Sequence, residues 1–433
     1  MNFRQYAGIE FESAARMRAV QDELLRRHVV YAARRSPYYR AWFANSGLRP
    51  EQVGLDDLSA LPLTGKAELA EHNRDLQAVP ERKVVDVVFS SGTSGVPTRV
   101  VYSERDLRRL AYNEHQSFAA AGVGADDQVL LTCTMDRCFV AGLAYFLGIR
   151  SLGAAAIRNG HGTLAGHGEI VGRLAPEVVV GVPSFLVKLG LYLRAQAKGR
   201  GGRLARALIC IGEPVRDRRL QALPVAERLV ELWGAAIHST YASTEIVTTF
   251  CECTQGCGGH LHPELAVVEV VDRAGRPLAA GEVGEVVVTP LGVEAMPLLR
   301  FRTGDLSFLI DEPCGCGRNS VRLGPILGRC NQMLKINGTT LYPQAIARAL
   351  DAVPGVVDHY IVVRSREALS DRATVHVAVE DAACDAAMIE EQLQARLRVK
   401  PEVVMETPEK VRARVFCREY RKPMRFFDLR EKS

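Results

Sequence analysis

Four short segments carry residue types whose spacing suits chemistry on a phosphorylated ligand. Ser90-Ser91-Gly92-Thr93-Ser94-Gly95, followed by Val96-Pro97-Thr98, packs hydroxyls and glycines together. Glycine permits close backbone approach, and successive N–H groups and hydroxyls donate to phosphate oxygens; a Ser/Gly surface turn has the same composition. The segment lacks the Gly-Lys-Ser/Thr ending of a P-loop, which disfavours a Walker-type NTPase. Tyr241-Ala242-Ser243-Thr244-Glu245 sets an aromatic ring, two hydroxyls and a carboxylate side by side. Glu245 suits Mg²⁺ beside a nucleotide phosphate, because a hard divalent cation prefers oxygen donors; a helix-capping Ser/Thr followed by Glu is the competing explanation. Arg300-Phe301-Arg302-Thr303-Gly304-Asp305 offers a carboxylate able to accept from both hydroxyls of a ribose, and Gly328-Arg329 precedes Asn331-Gln332 and Lys335-Ile336-Asn337-Gly338. Taken singly, either is a turn with a salt-bridging pair.

The eleven cysteines are distributed unevenly. Cys251, Cys253, Cys257, His260 and His262 crowd one stretch, and Cys314 and Cys316 follow downstream. More than four soft ligands suffice for a closed tetrahedral zinc site; Cys253, Cys257, Cys314 and Cys316 are the preferred set, with His260 or Cys251 as substitutes. Such a structural Zn²⁺ pins the loop after Glu245 to the segment around Cys314. The remaining, dispersed cysteines read as small buried hydrophobes.

These segments need elements to position them. Residues 1–80 read mainly as helix. From 84 to about 240, β-rich runs at 84–89, 128–132, 154–157, 177–180, 207–211 and 235–237 alternate with helical patterns, which predicts a largely parallel sheet covered by helices. The Tyr241–Glu245 segment then falls in a loop at a strand's carboxyl end, where open α/β sheets bind ligands. Residues 265–325 switch to strands separated by Ala274-Gly275-Arg276-Pro277 and Ala280-Gly281, a β-rich lobe. After Gly328-Arg329 a strand, helix, two strands and a second helix predict a small α+β domain. The fold class is therefore α/β, with a large domain over 1–328 and a small C-terminal domain over 329–433.

In this order and at these separations, the four segments resemble the adenylate-forming acyl- and aryl-CoA synthetase superfamily, specifically its phenylacetate-CoA ligase branch. The resemblance runs from about residue 20 to Arg430. Ile211-Gly212-Glu213-Pro214 is similar to that branch's adenine-side loop, and Leu341-Tyr342-Pro343 to its small-domain opening. The resemblance implies that Ser90 to Gly95 wrap the ATP phosphates and that Glu245 binds Mg²⁺ beside Thr244. It implies that Tyr241, Ala242, Ser243, Gly212, Glu213 and Pro214 border the nucleotide, and that Asp305 and Arg329 hold its ribose. It also implies a mobile small domain that delivers a lysine for adenylation and then rotates to admit a thiol. Lysines are scarce, and Arg421-Lys422-Pro423-Met424-Arg425 best resembles the family's Gly-Lys-x-x-Arg, with Arg421 where the family has glycine. Asn331-Gln332 stands where many relatives carry an acidic hinge pair. Phe139-Val140-Ala141-Gly142-Leu143 resembles the pocket-lining segment, with Phe139, Ala141 and Gly142 facing an aryl acid; a helix start packed in the core is the alternative for Phe139.

The implied reaction is ATP-dependent activation of an aryl carboxylic acid (phenylacetate, anthranilate or another benzoate type) to an acyl-adenylate, then transfer to coenzyme A. Transfer to a carrier-protein phosphopantetheine or an amine, and a non-catalytic acyl-adenylate sensor, are the alternatives; Glu245, Asp305 and Lys422 being present argues against the sensor. A net charge of +5 with scattered basic residues disfavours a nucleic-acid partner. Charged residues interrupt residues 1–20, so no secretory leader is expected there, and the stretch 139–149 is short of the ~20 apolar residues a bilayer requires. A cytoplasmic homodimer is the expectation.

Overall fold

The computed structural model describes residues 3–90, 97–160, 162–196, 202–336, 339–366, 370–380, 384–416 and 424–430. The chain divides into two compact units, Met1–Ile326 and Leu327–Ser433.

At the centre of the first unit lies a six-stranded sheet in the order Ala155–Arg158, Gln128–Leu131, Val178–Gly181, Ala207–Ile211, Ala236–Ser243, Thr248–Cys251. The first five strands run parallel and the last is antiparallel. Val178–Gly181 and Ala207–Ile211 are buried at every residue, the continuous apolar pattern of strands covered on both faces. One face packs Val129, Val180 and Ile209 against Phe118, Tyr145 and Ile149, carried by helices Glu104–Ala120 and Val140–Leu152. The other packs Val179 and Leu208 against Leu186, Leu189 and Trp233 of helices Pro183–Gln196 and Pro224–Trp233.

An antiparallel hairpin, Val84–Ser90 with Thr98–Ser103, opens this part of the unit, and Ser90 lies opposite Thr98 at its described end. Strands Ala266–Val271, Gly284–Pro290 and Phe301–Ser307 pair antiparallel in sequence order. A small sheet joins Leu309–Ile310, Arg322–Leu323 and Gly259–His260. Helix Ala14–Arg35, capped by Ser13 accepting from the Arg16 N–H, buries Met17, Val20, Leu24, Leu25, Val29 and Ala32 on one face.

The second unit holds a four-stranded sheet in the order Glu402–Met405, Ser370–Val379, Val356–Arg366, Phe426–Asp428. Helices Pro343–Asp351 and Ala386–Leu397 cover Val363, Val375 and Val377, and helix Pro408–Val415 packs Val411 and Val415 on Tyr360, Val362 and Phe427. This is the expected α+β arrangement. Among the described residues no helix is long and apolar enough to cross a membrane.

Two elements differ from the sequence reading: the run at 84–89, expected in the parallel sheet, instead pairs antiparallel with Thr98–Ser103 in a separate hairpin, because its neighbour along the chain offers the backbone groups it needs. The strand expected to end at 237 runs on to Ser243, because its parallel partner Ala207–Ile211 reaches Thr240 and Thr248–Cys251 pairs with residues 240–243. Tyr241, Ala242 and Ser243 are strand residues, and the turn begins at Thr244.

Candidate active site and cysteine cluster

The turn between Ala236–Ser243 and Thr248–Cys251 lies at the carboxyl edge of the parallel sheet. Glu245 is buried there. Its Oε2 accepts from the Ser243 hydroxyl, while Oε1 has no hydrogen-bond partner among the described residues. A buried carboxylate oxygen left bare is costly unless something binds it, and a hard cation is a suitable occupant. The Tyr102 hydroxyl donates to the Thr244 carbonyl at 2.7 Å. Burial, and next the Glu245 carboxylate, raise that phenol well above its ordinary range, so it stays a donor.

Two bonds tie this turn to its neighbours. Tyr241 donates its hydroxyl to Asp305 Oδ2 at 2.8 Å, and burial followed by the Asp305 charge raises the phenol's pKa. Asp305 is itself on the strand Phe301–Ser307, where Gly304 takes φ +78° and the Asp305 N–H donates to Thr303 Oγ1 at 3.1 Å. The arginines beside it are engaged in ion pairs. Arg300 grips Glu269 through two 2.9 Å bonds, both partners buried, and Arg302 pairs with Glu285. Asp305 therefore sits between rigid supports, with its carboxylate on Tyr241.

Gly212, Glu213 and Pro214 follow the strand Ala207–Ile211, Gly212 at φ +74°. Both Glu213 oxygens accept from Ser184, one from its N–H at 2.9 Å and one from its hydroxyl at 2.8 Å. A carboxylate at the first turn of helix Pro183–Gln196 satisfies an end N–H and complements the dipole, so Glu213 braces this edge of the sheet. Phe139 and Ala141 are half-buried at the start of helix Val140–Leu152. Gly142 is buried, and a Cβ there would come within 2.4 Å of the Thr134 carbonyl. Its small size serves the packing of this helix on residues 134–135. The Phe89 N–H donates to the Cys138 carbonyl at 3.0 Å and holds the hairpin against the same segment.

Ser90 is buried at the hairpin end, whereas Ser91, Gly92, Thr93, Ser94, Gly95 and Lys422 lie outside the described residues. Arg329 belongs to the second unit and is exposed.

The cysteines that the spacing singled out approach one another, together with His260. One ligand atom each from Cys253, His260, Cys314 and Cys316 lies within 4.8 Å of all the others. Sγ of Cys253 and of Cys257 are each 3.6 Å from Cys314 Sγ, and Cys316 Sγ is 3.4 Å from His260 Nε2. A tetrahedral zinc with bonds of about 2.3 Å to sulfur and about 2.05 Å to nitrogen requires edges of about 3.7 Å and about 3.6 Å, so these separations suit it. His260 is in the mutually close group of four and Cys257 is not, although Cys257 Sγ also approaches Cys314 and accepts from Arg322 Nη1 at 2.9 Å. Burial lowers the His260 pKa to about 3, which keeps the neutral ring that coordinates metals, and Ser320 Oγ lies 3.1 Å from its Nδ1. Cys251 is a core residue beside Cys133 and Tyr145.

A polar stripe on helix Glu104–Ala120 escaped the sequence reading. Asp106, Arg109, Asn113, Glu114 and Ser117 are all buried. Arg109 donates to the carbonyls of Leu291, Val247 and Leu265 and to Thr248 Oγ1, which fixes the return of the Glu245 turn where Val247 takes φ +49°. Asn113 exchanges two bonds with the backbone of Thr249, and Glu114 accepts from its hydroxyl. The visible signal was polar residues recurring at helical spacing where an apolar face is ordinarily found.

The family model for AMP-binding enzymes matches residues 14–294, and that for the AMP-binding enzyme C-terminal domain matches 338–430. The chain is 35% identical over 372 residues to a phenylacetate-coenzyme A ligase of Thermus thermophilus, spanning 84% of this chain and 82% of that protein. It is 30% identical over 379 residues to the phenylacetate-coenzyme A ligase of Pseudomonas putida, spanning 85% and 83%. In fold it is similar to 2-hydroxyisobutyryl-CoA ligase in the postadenylation state, with a TM-score of 0.83, 24% identity, and 96% and 90% of the two chains covered. The turn of Glu245, the Tyr241–Asp305 bond and these matches lead to one assignment: the chain belongs to the AMP-binding enzyme family, in its phenylacetate-CoA ligase branch, and is by class an AMP-forming CoA ligase.

Proposed function

We propose that this enzyme activates an aryl carboxylic acid, of the phenylacetate, anthranilate or other benzoate type, and passes the acyl group to coenzyme A. The carboxylate oxygen attacks the α-phosphorus of ATP, and the bond from that phosphorus to the pyrophosphate oxygen breaks, so pyrophosphate leaves with the electron pair. The CoA thiolate then attacks the acyl carbonyl and AMP departs. Mg²⁺, when bound, neutralises charge on the phosphate oxygens, and Glu245 Oε1 is the atom of this chain suited to hold it. Thr244 follows directly on the strand that presents the site, Asp305 accepts from ribose hydroxyls, and residues 90–95 supply N–H and hydroxyl donors to the phosphates. Lys422 supplies the cation for the adenylation half-reaction.

The observation that carries this reading is the buried Glu245 carboxylate, one oxygen paired with Ser243 and the other bare, at the carboxyl edge of a parallel sheet. The aryl preference is supported by the named activity of the relatives and by Phe139 beside Ala141 and Gly142. A structural Zn²⁺ on Cys253, His260, Cys314 and Cys316 completes the proposal, supported by their mutual approach. The test is ATP–pyrophosphate exchange over a panel of aryl and alkyl acids, followed by product analysis with CoA. Exchange stimulated by an aryl acid, with acyl-CoA and AMP formed in equal amounts, is the expected result; stimulation by alkyl acids alone overturns the substrate class.

A further inference from the structure

A second group of buried ligand-type side chains shares no residue with the cysteine cluster or the Glu245 turn. Glu10, His262 and Glu264 come from two distant parts of the sequence, yet one ligand atom from each lies within 4.8 Å of the other two. Relative exposures are 3% for Glu10, 2% for His262 and 0% for Glu264. Glu10 Oε2, Glu264 Oε2 and both ring nitrogens of His262 have no hydrogen-bond partner among the described residues. Each carboxylate has its other oxygen held from outside: Arg318 Nε donates to Glu10 Oε1 at 3.2 Å, and the Tyr112 hydroxyl donates to Glu264 Oε1 at 3.1 Å. That is the arrangement of metal-ligating carboxylates, in which an outer donor orients one oxygen and the other faces the ion.

We propose that Glu10, His262 and Glu264 bind a divalent first-row metal ion through two carboxylate oxygens and one imidazole nitrogen. Buried polar atoms without partners are costly, and here they are gathered in one place, so a single ion relieves all three side chains. One nitrogen and two oxygens form a mixed donor set that suits Zn²⁺ or Mn²⁺ better than Mg²⁺ or Ca²⁺, which take oxygen shells. Two carboxylates balance the dication, and the Arg318 guanidinium stays outside on Glu10.

The site has a structural consequence. Glu10 lies in the 3-10 turn Ile9–Phe11, whose backbone is already clasped by Asn319: the Asn319 N–H donates to the Glu10 carbonyl at 2.7 Å, and its amide to Phe11 and Glu12. The Arg318 guanidinium covers the Phe11 ring at 4.8 Å. A metal on Glu10 therefore fastens the N-terminal segment to the segment that carries His262 and Glu264, while Arg318 and Asn319 tie it to the loop after Cys316.

The test counts metal. Full-length protein is expressed with Zn²⁺ and Mn²⁺ in the medium, purified without chelator or nucleotide, and its total divalent metal per chain is measured by elemental analysis and native mass spectrometry. Glu10→Gln and Glu264→Gln are each expected to lower the zinc-plus-manganese count by one relative to wild type. The proposal stands on that difference and not on the absolute count, so failure of the cysteine-cluster reading leaves it intact. Wild-type counts retained in both glutamine variants overturn it. So does an infrared carbonyl band of a buried protonated carboxylic acid in wild type that Glu264→Gln removes, since a shared proton then fills the place of the ion. Glu10 is the safer variant to fold, because its backbone stays held by Asn319 whatever the side chain.

Discussion

Glu245 and Glu114 are both buried glutamates, and their partners give them opposite roles. Glu245 keeps an unpaired oxygen in the turn that ends the parallel sheet. Glu245→Gln exchanges a charged oxygen donor for a poor ligand of a hard cation, so ATP–pyrophosphate exchange should fall by roughly 10–100-fold and require more Mg²⁺. An unchanged Mg²⁺ titration would remove Glu245 from the metal site. Glu114 lies on the polar stripe with its carboxylate on Thr249, and burial raises its pKa to about 7. In the folded state it therefore holds its proton between its ordinary value of 4.5 and about 7, where the unfolded chain has already released one. The linkage sign follows: the contribution to stability is complete below 4.5 and is lost as the pH rises through about 7. Glu114→Gln keeps the neutral form at every pH. Denaturant melts of the two proteins should nearly coincide at about pH 4, and the variant should be the more stable by a few kcal/mol at about pH 8.

At the scale of elements, the strand Thr248–Cys251 is held from both sides. Helix Glu104–Ala120 supplies Arg109, Asn113 and Glu114 to its backbone and side chains. Beyond its end, Glu252 pairs with Arg216 at 2.7 Å and accepts from the Ser239 N–H at 2.9 Å, and then the cysteine cluster begins. The cluster thus lies just beyond the far end of the strand whose near end forms the Glu245 turn. Replacing both Cys314 and Cys316 by Ser should abolish thiolate-bound zinc and lower the melting temperature by at least roughly 5 °C, the shift that accompanies loss of a few kcal/mol in a domain of this size. Activity at low temperature should decline less than stability, since among the described residues no cysteine is bonded to the Glu245 carboxylate. Zinc retention in the double variant would show that other ligands hold it. Close packing of helices is a second device of this scale. A Cβ on Gly148 would lie 2.2 Å from Glu114 Cβ, so Gly148→Ala should cost about 1–3 kcal/mol by forcing helix Val140–Leu152 away from its neighbour.

At the scale of the whole molecule, the chain divides into two units, each with its own core. We assign Lys422 to the first step alone. Lys422→Ala should depress adenylate formation on the order of 10²–10³-fold while largely sparing thioester formation from a supplied acyl-adenylate, because its charge matters only where pyrophosphate leaves. Equal losses in both half-reactions would refute the role.

Strand and helix alternation, the β-rich lobe and the α+β tail were legible because apolar periodicity and Gly/Pro turns are local signals that tertiary packing reinforced. The cysteines were legible because their spacing is itself the signal. Distances in space decided the rest. The approach of His260 to Cys316 depends on the Gly259–His260 strand pairing with Arg322–Leu323. The extension of Ala236–Ser243 depends on two neighbours remote in sequence offering backbone groups to pair with. Arg109 looked like an ordinary charged helix residue, and only the turn it reaches in the folded chain, with three carbonyls converging on it, makes its burial favourable. Glu10 and His262 stand far apart along the chain, and only the folded backbone brings their unpaired atoms together.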